Sequence, residues 1–268
     1  MSNDKVRLSP ELMRKREEEF IKSKFNFLPE IKQEIRHYIE LSQTERQSSN
    51  LERSLSRLEE ISEEISQEGF NKWISLLGIL EGAKSVALEE ILAIRTTFEL
   101  GLNDWRAGWH ITKDSSGLET SRFNTEHLCS INILPSFEAP ARVAILYQPT
   151  YSRIAFGVGA SPDNISSSVI QTELPNTWAD PVENVLSRFD LFHSTTGLSL
   201  DGIGYDFHNL SWTSESHIRF WNPIDIQFIE LEKAFFSIAE KVVDEKGQQI
   251  ERDYLVMWKK YLARQNNA

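Results

Sequence analysis

The residues best suited to chemistry lie between Tyr205 and Trp221. An aspartate, two histidines and an arginine fall within this segment, namely Asp206, His208, His217 and Arg219. A carboxylate close to two imidazoles can bind a divalent metal ion, and a histidine titrates near neutral pH and can therefore transfer protons. If folding brings these side chains together, the segment is a candidate metal or acid/base site.

Two predicted strands, Ile203 to Trp212 and His217 to Trp221, would position these side chains. The polar residues 213–216 between them favour an antiparallel hairpin. Side chains alternate between the two faces of a strand, so Tyr205 and Phe207 are expected on an apolar face. The four polar side chains are then expected together on the opposite face.

The polar face has two further interpretations. Antiparallel sheets often keep one face in water, and polar residues on such a face need no function. The face is also a candidate surface for a protein partner, because arginine and tryptophan often dominate the binding energy of interfaces. The candidate partner-binding residues are Asp206, His208, Trp212, His217, Arg219 and Trp221.

Standard catalytic and nucleotide-binding signatures are absent from the sequence. The glycine pairs at 157/159 and 202/204 do not continue to GxGxxG, and the run from Gly197 to Asp201 has aspartate where a nucleophile elbow needs its second glycine. No P-loop, HExxH, CxxC or EF-hand pattern occurs. We therefore predict no cofactor and assign neither catalytic nor metal-binding residues.

Composition limits the compartment and the partners. The 268-residue chain has 29 basic and 40 acidic residues, a net charge of −11, which argues against a binder of nucleic acid or anionic membrane. The longest strongly apolar run, residues 73–80, is far shorter than the ~20 residues that cross a bilayer.

The single cysteine, Cys129, cannot form an internal disulfide, and its apolar neighbours predict a buried thiol. The first residues show no apolar signal region, so we expect a cytoplasmic protein.

Charge density divides the chain into three zones. Residues 1–110 hold 16 basic and 20 acidic residues, residues 111–222 hold only 6 and 12, and residues 223–268 hold 7 and 8. Surface helices carry long charged side chains, whereas strands favour β-branched and aromatic residues. The chain is therefore predicted to be helical, then β-rich, then helical.

Apolar residues recur at helical spacing in the first zone. After two N-terminal helices, Ser49 and Glu52 fit a capping box that would begin a third. Its apolar stripe consists of Leu51, Leu55, Leu58, Ile61 and Ile65. Two more helices are predicted over residues 70–80 and 85–102. The zone is expected to form either a helical bundle or an arm that docks on another chain.

The middle zone shows the strand period. Ahead of the hairpin, the predicted strands are His127 to Leu134, Arg142 to Gln148, Arg153 to Val158 and Ile165 to Leu174. Between these strands and the hairpin, Asp180 and Pro181 predict the start of a short helix, with Asp180 as its N-cap.

The third zone contains the most regular amphipathic pattern of the chain. Asn222 and Pro223 are predicted to begin a helix that ends at Gly247. Its apolar stripe is Ile224, Phe228, Leu231, Phe235, Ile238 and Val242. The stripe is wide and aromatic, which favours packing across the preceding sheet. A last helix is expected from Ile250 to Leu262.

Taken together, the patterns predict an α+β fold with a helical N-terminal region, an antiparallel sheet in the middle and C-terminal helices packed on one sheet face. The predicted division is a helical region over residues 1–110 and a sheet with C-terminal helices over residues 111–268. The predicted function is a cytosolic non-enzymatic interaction protein, an accessory or regulatory subunit that binds an unidentified protein partner. The alternative is a metal-dependent or acid/base hydrolase that uses the polar face of the 205–221 hairpin.

Overall fold

Helices at both ends of the chain and an antiparallel sheet in the middle make up the computed structural model, which confirms the predicted α+β fold. The C-terminal helices pack on one face of the sheet, as predicted. The structure describes residues 10–23, 25–26, 28–41, 45–67, 70–102, 109–113, 119–123, 127–136, 138–159, 167–189, 202–210 and 215–265.

The helices and strands have the following bounds. The helices are α1 (Pro10–Ser23), α2 (Leu28–Leu41), α3 (Glu45–Gln67), α4 (Phe70–Glu99), α5 (Asp180–Leu186), α6 (Ile226–Lys246) and α7 (Gln249–Gln265). The strands are β1 (Trp109–Lys113), β2 (Glu119–Phe123), β3 (His127–Pro135), β4 (Ala141–Tyr147), β5 (Tyr151–Val158), β6 (Ser168–Pro175), β7 (Ile203–Leu210) and β8 (Glu215–Trp221).

The chain divides into two compact units, Met1–Ala87 and Leu88–Ala268. The division falls within α4, so the last turns of that helix belong to the second unit. The domain boundary proposed from charge density, near residue 110, stays a prediction.

In the first unit, α2 and α3 pack side by side. Lys32 donates a hydrogen bond to Ser62 at 3.0 Å, and Arg36 pairs with Glu59 at 2.6 Å, so the two helices run antiparallel. Their buried apolar residues are Leu28, Ile31 and Ile35 of α2 and Leu51, Leu58 and Ile61 of α3. Packing of α2 on α3 accounts for the buried positions in the predicted stripe.

Two helix boundaries in the first zone differ from the prediction. Helix α3 begins at Glu45 rather than at a capping box on Ser49, because residues 45–47 are good helix formers that extend it upstream. The two helices predicted over residues 70–80 and 85–102 are a single helix, α4. The glycine between them, Gly82, costs only ~1 kcal/mol in a helix, too little to interrupt one flanked by strong helix formers.

The main sheet has six antiparallel strands in the order β6-β5-β4-β3-β7-β8. Five of them overlap closely with the predicted runs, and the sixth, β6, begins one residue after the start of the described part of its run. Strands β1 and β2 form a separate two-stranded sheet that the sequence analysis did not predict.

One face of the main sheet holds the core. Phe207 of β7 packs edge-to-face on Phe235 of α6, with ring centroids 6.0 Å apart. Trp258 of α7 is fully buried, and its Nε1 donates a hydrogen bond to the hydroxyl of Tyr205 at 3.0 Å. The predicted placement of α6 across the sheet is therefore confirmed.

The opposite face is covered in part by the end of α4 and the residues after it. Gly157 of β5 permits this approach, because a Cβ there would stand 2.7 Å from Cδ1 of Leu92 and 3.1 Å from Cγ2 of Thr96. Leu100 and Leu102 complete an apolar cluster on this face with Leu128, Ala144, Leu146 and Ala155.

The starts of α5 and α6 differ from the prediction. Asp180 lies inside α5, whose N-cap is Ala179. Helix α6 begins at Ile226 with Asp225 as its N-cap, and the Asp225 carboxylate accepts a hydrogen bond from the backbone of Gln227 at 2.9 Å. Asn222 cannot cap the helix, because its φ of 40° turns the chain and its side chain binds the β7 backbone.

Among the helices described, none has both the length and the apolar character needed to cross a membrane.

Candidate functional site

Strands β7 and β8 bring the four predicted polar side chains onto one face of the sheet. Asp206 lies opposite Arg219, and His208 lies opposite His217, in the antiparallel register. Tyr205, the residue before Asp206, is buried on the core face. The predicted alternation of the hairpin is therefore confirmed.

Asp206 is the centre of this cluster and is only 5% exposed. Nη2 of Arg219 donates a hydrogen bond to Oδ2 of Asp206 at 2.8 Å. Oδ1 of Asp206 is hydrogen-bonded to Nε2 of His217 and lies 3.5 Å from Nε2 of His208. Burial alone raises the pKa of the Asp206 carboxyl, but the hydrogen bonds from the two histidines and Arg219 outweigh burial and hold this pKa well below its usual range. Asp206 is therefore ionised at neutral pH.

The two imidazole rings of the cluster stack on each other. The ring centroids of His208 and His217 are 4.2 Å apart, and the ring planes differ by 8°. The side chain of His208 is mostly buried, whereas that of His217 is half exposed. Burial lowers the pKa of His208, against the opposing effect of its hydrogen bond with Asp206. His208 is therefore neutral at physiological pH and can offer a ring-nitrogen lone pair.

A buried row of polar side chains continues from this cluster onto the neighbouring strands. Arg142 of β4 is 1% exposed and donates hydrogen bonds to Oδ1 of Asn132 at 2.6 Å and to Oγ of Ser130 at 2.7 Å. Asn132 pairs in register with Asp206, and Ser130 pairs with His208. The inner part of the polar face is therefore enclosed rather than solvated.

Spacing along the chain does not reveal this buried row, because strand pairing brings β3 and β4 beside the hairpin. A signal was present in β3, where Ser130 and Asn132 alternate with apolar residues. Both faces of an interior strand can be covered, so polar residues at alternate positions indicate either solvent or a buried polar network.

Trp221 lies at the end of β8, on the same face as Arg219. The Arg219 guanidinium lies 5.7 Å from the centre of the indole ring. The indole packs over Gly204, its cross-strand partner, where an added Cβ would stand 2.7 Å from Nε1 of Trp221. The side chain is 45% exposed, as expected for a residue on the polar face. The other predicted tryptophan, Trp212, lies outside the described residues.

An exposed apolar stretch follows β8 directly. Ile224 is 72% exposed and Ile226 is 64% exposed, close in sequence to Trp221. The prediction that Ile224 belongs to the buried stripe of α6 is wrong, because the helix begins two residues after it, at Ile226. No pattern in the sequence indicated this exposure, which depends on where the helix starts.

Asp206, His208 and His217 are also arranged as a set of metal ligands. One ligand atom from each of them lies within 4.8 Å of the other two. Across the described part of the chain, these three form the one such group of His, Cys, Asp or Glu side chains. The cysteine offers no comparable chemistry, since Cys129 is fully buried and burial raises the pKa of its thiol.

Comparison with protein-family models, curated proteins and solved structures found no match for the chain. The chemistry and the exposure of this face are therefore the features that bear on the function.

Proposed function

We propose that this protein is a non-enzymatic interaction protein, an accessory or regulatory subunit, that binds an extended segment of a partner protein along strand β8. The observation that carries the proposal is the exposed apolar stretch formed by Trp221, Ile224 and Ile226 at the end of that strand. These three exposed apolar residues fall within six consecutive positions of the chain, and a patch of exposed apolar side chains commonly marks a site of protein interaction.

The position of β8 in the sheet supports this mode of binding. Strand β8 is terminal in the order of the six-stranded sheet and pairs with β7 on one side. Within the ranges that the structure describes, no strand pairs with its other side. An edge strand offers backbone N–H and C=O groups to which an extended peptide can add as a further strand.

The side chains beside this edge indicate the chemistry of the partner segment. Arg219 is half exposed, and a guanidinium has five N–H donors, so it can bind a second carboxylate while it retains Asp206. Ile224 and Ile226 would be covered by apolar side chains of the partner. We therefore propose an extended segment that combines an acidic residue with apolar residues.

A cytoplasmic location and the absence of nucleic-acid binding belong to the same proposal. Cys129 is a free, buried thiol, and free thiols are typical of reducing compartments, where disulfides are rare. This supports the proposed location. A net charge of −11 opposes binding to phosphate backbones.

Selection of random peptides of about 12 residues on the full chain tests the proposal. We expect enriched peptides with a carboxylate and apolar residues at alternate positions. Ile224→Ser should weaken their binding at least about tenfold, since it removes the most exposed apolar contact of the stretch that follows β8. Val256→Ser is the matched control, because Val256 is an apolar residue 59% exposed on α7 and outside the site.

Hydrogen exchange locates the bound peptide. Strand addition should slow amide exchange in residues 215–221, where new backbone hydrogen bonds form. Equal losses of affinity in Ile224→Ser and Val256→Ser, or slowed exchange confined to other segments, would contradict binding along β8.

The hydrolase remains the second candidate, favoured by the arrangement of Asp206, His208 and His217. A hydrolase predicts turnover of model esters or phosphoesters that His208→Ala abolishes while the affinity for selected peptides is unchanged. The interaction protein predicts no turnover dependent on His208.

A further inference from the structure

We propose that Asp206, His208 and His217 form a binding site for a transition-metal ion of the Zn²⁺ class. The ligand atoms are Oδ1 of Asp206 and Nε2 of each histidine. When the ion binds, each neutral imidazole takes the tautomer that carries its proton on Nδ1, so that the lone pair of Nε2 faces the ion. This inference goes beyond the proposed partner binding and does not depend on it, because a metal titration of the protein alone measures it.

The distances between the ligand atoms suit a small ion. Zinc bonds of about 2.0 to 2.2 Å in tetrahedral geometry place ligand atoms about 3.4 Å apart. Oδ1 of Asp206 and Nε2 of His208 are 3.5 Å apart, so this pair already has the required spacing. His217 is hydrogen-bonded to the same Oδ1 and must move outward to admit an ion. Its side chain is half exposed and has room to make this movement.

The neighbouring side chains hold two of the ligands in place. Arg219 donates its hydrogen bond to Oδ2 of Asp206, which leaves Oδ1 directed at the two imidazoles. Such second-sphere hydrogen bonds orient metal-binding carboxylates. His208 is held by burial, since its side chain is only 23% exposed. The site therefore needs little reorganisation apart from the movement of His217.

The charges around the site favour a transition metal over Ca²⁺ or Mg²⁺. The cationic Arg219 of β8 and Arg142 of β4 act on the cluster, opposed by Asp206 itself and by Glu89 of α4. Ca²⁺ and Mg²⁺ require several oxygen ligands, and this site offers only one carboxylate. Imidazole nitrogens bind Zn²⁺, Cu²⁺ and Ni²⁺ by partly covalent bonds that depend less on net charge.

A bound ion would connect two neighbouring strands. His208 and Asp206 belong to β7, and His217 belongs to β8, so the ion adds a cross-link to the hairpin at the edge of the sheet. Three protein ligands leave the fourth tetrahedral position to water.

Titration calorimetry of the full chain, first freed of metal with a chelator, tests the inference. We expect ZnCl₂ to bind with one equivalent at high affinity, and CaCl₂ and MgCl₂ to give no binding at the same concentrations. CoCl₂ should develop the visible absorption bands of a four-coordinate ion. His217→Ala should weaken Zn²⁺ binding at least about 100-fold, the upper end of the loss seen when only a second-sphere partner is removed.

His37→Ala is the matched control, because His37 is an exposed histidine on α2 outside the cluster. It should leave the affinity for Zn²⁺ unchanged. His217 is half exposed, so its variant should fold. Asp206→Asn is a second variant, which removes the negative charge of the carboxylate ligand and should also weaken the binding of Zn²⁺. Absence of stoichiometric binding, or equal affinity in wild type and His217→Ala, would overturn the inference and would leave the peptide experiments on β8 unaffected.

Discussion

Asp206 links nearly every polar group of the candidate site. It is buried, it is hydrogen-bonded to Arg219 and His217, and it lies close to His208. A buried carboxylate is costly unless charged or hydrogen-bonding partners surround it, and this one has three. Removing the carboxylate therefore leaves several donors without their acceptor.

Asp206→Ala is predicted to lower the free energy of unfolding by about 1 to 3 kcal/mol, the cost of leaving buried or partly buried donors unsatisfied. Asp244→Ala, at an exposed position of α6, should change it by no more than about 0.5 kcal/mol. Urea unfolding followed by circular dichroism measures both. Similar values for the two variants would mean that Asp206 is solvated in solution.

Cys129 makes stability depend on pH in the alkaline range. Burial raises the pKa of its thiol in the folded chain, while in the unfolded chain the thiol titrates near pH ~8.5. The contribution of the neutral, buried thiol to the free energy of unfolding is complete below that pH. It is lost as the pH rises toward the pKa of the folded chain, because over this interval only the unfolded state releases the proton. The expected slope approaches about 1.4 kcal/mol per pH unit.

Urea unfolding of wild type and Cys129→Ala between pH 8 and about 10 measures this contribution. The variant has no thiol to titrate, so its stability should fall less steeply over this interval, whatever its absolute stability. Parallel curves would show that the thiol is ionised in the folded state or that its pKa is unshifted.

The sequence predicted which residues of the hairpin share a face, because alternation along a strand is a local property. It did not predict that Arg142, Asn132 and Ser130 lie beside them, because the pairing of β3 with β7 joins residues about 75 positions apart in sequence. It also placed Ile224 in the core, since the exposure of that residue depends on the competition between Asn222 and Asp225 for the start of α6.

At the scale of elements, periodicity was most informative where one face is buried by a neighbour. The apolar runs of β3, β4 and β5 agree with the strands to within two residues. The predicted stripe of α6 is buried from Phe228 to Val242, whereas its first residue, Ile224, is exposed. Helix ends were less predictable, because several polar residues near each end can act as the cap. The β1–β2 hairpin lies where the composition changes from helical to β-rich, and its five-residue strands are too short to show a clear period.

Two glycines give opposite predictions for the same substitution. Gly82 is exposed in the middle of α4, with no atom within 4 Å of an added Cβ. Gly82→Ala should therefore stabilise the protein by about 0.5 to 1 kcal/mol, because alanine favours the helix. Gly157→Ala should destabilise it by about 1 to 3 kcal/mol, because its Cβ would meet Leu92 at 2.7 Å.

Thermal unfolding of the two variants beside wild type measures the contrast. A lower melting temperature for Gly82→Ala would indicate that α4 is interrupted at this point, as the sequence analysis first predicted. An unchanged melting temperature for Gly157→Ala would indicate that the end of α4 does not lie against β5.

At the scale of the whole molecule, charge density and compactness place the start of the sheet-containing unit at different residues. Charge density predicts a boundary near residue 110, whereas the compact units divide between Ala87 and Leu88. The residues between these two positions include the end of α4, which covers Gly157, together with Leu100 and Leu102. A fragment without them exposes one face of the sheet.

We predict that a fragment of residues 85–268 folds and that a fragment of residues 111–268 does not fold cooperatively. The longer fragment can begin its helix at Ser85, a favourable N-cap residue, and retains Leu92, Leu100 and Leu102. Each of these leucines is at most 2% exposed, and loss of one such buried side chain costs about 2 to 5 kcal/mol. Three losses together approach the whole stability of an ordinary domain, about 5 to 15 kcal/mol.

Urea unfolding of both fragments, monitored by tryptophan fluorescence and circular dichroism, distinguishes the two boundaries. A single cooperative transition in the 111–268 fragment, at the same urea concentration as in the longer one, would place the boundary near residue 110 and would mean that the end of α4 contributes little to the sheet.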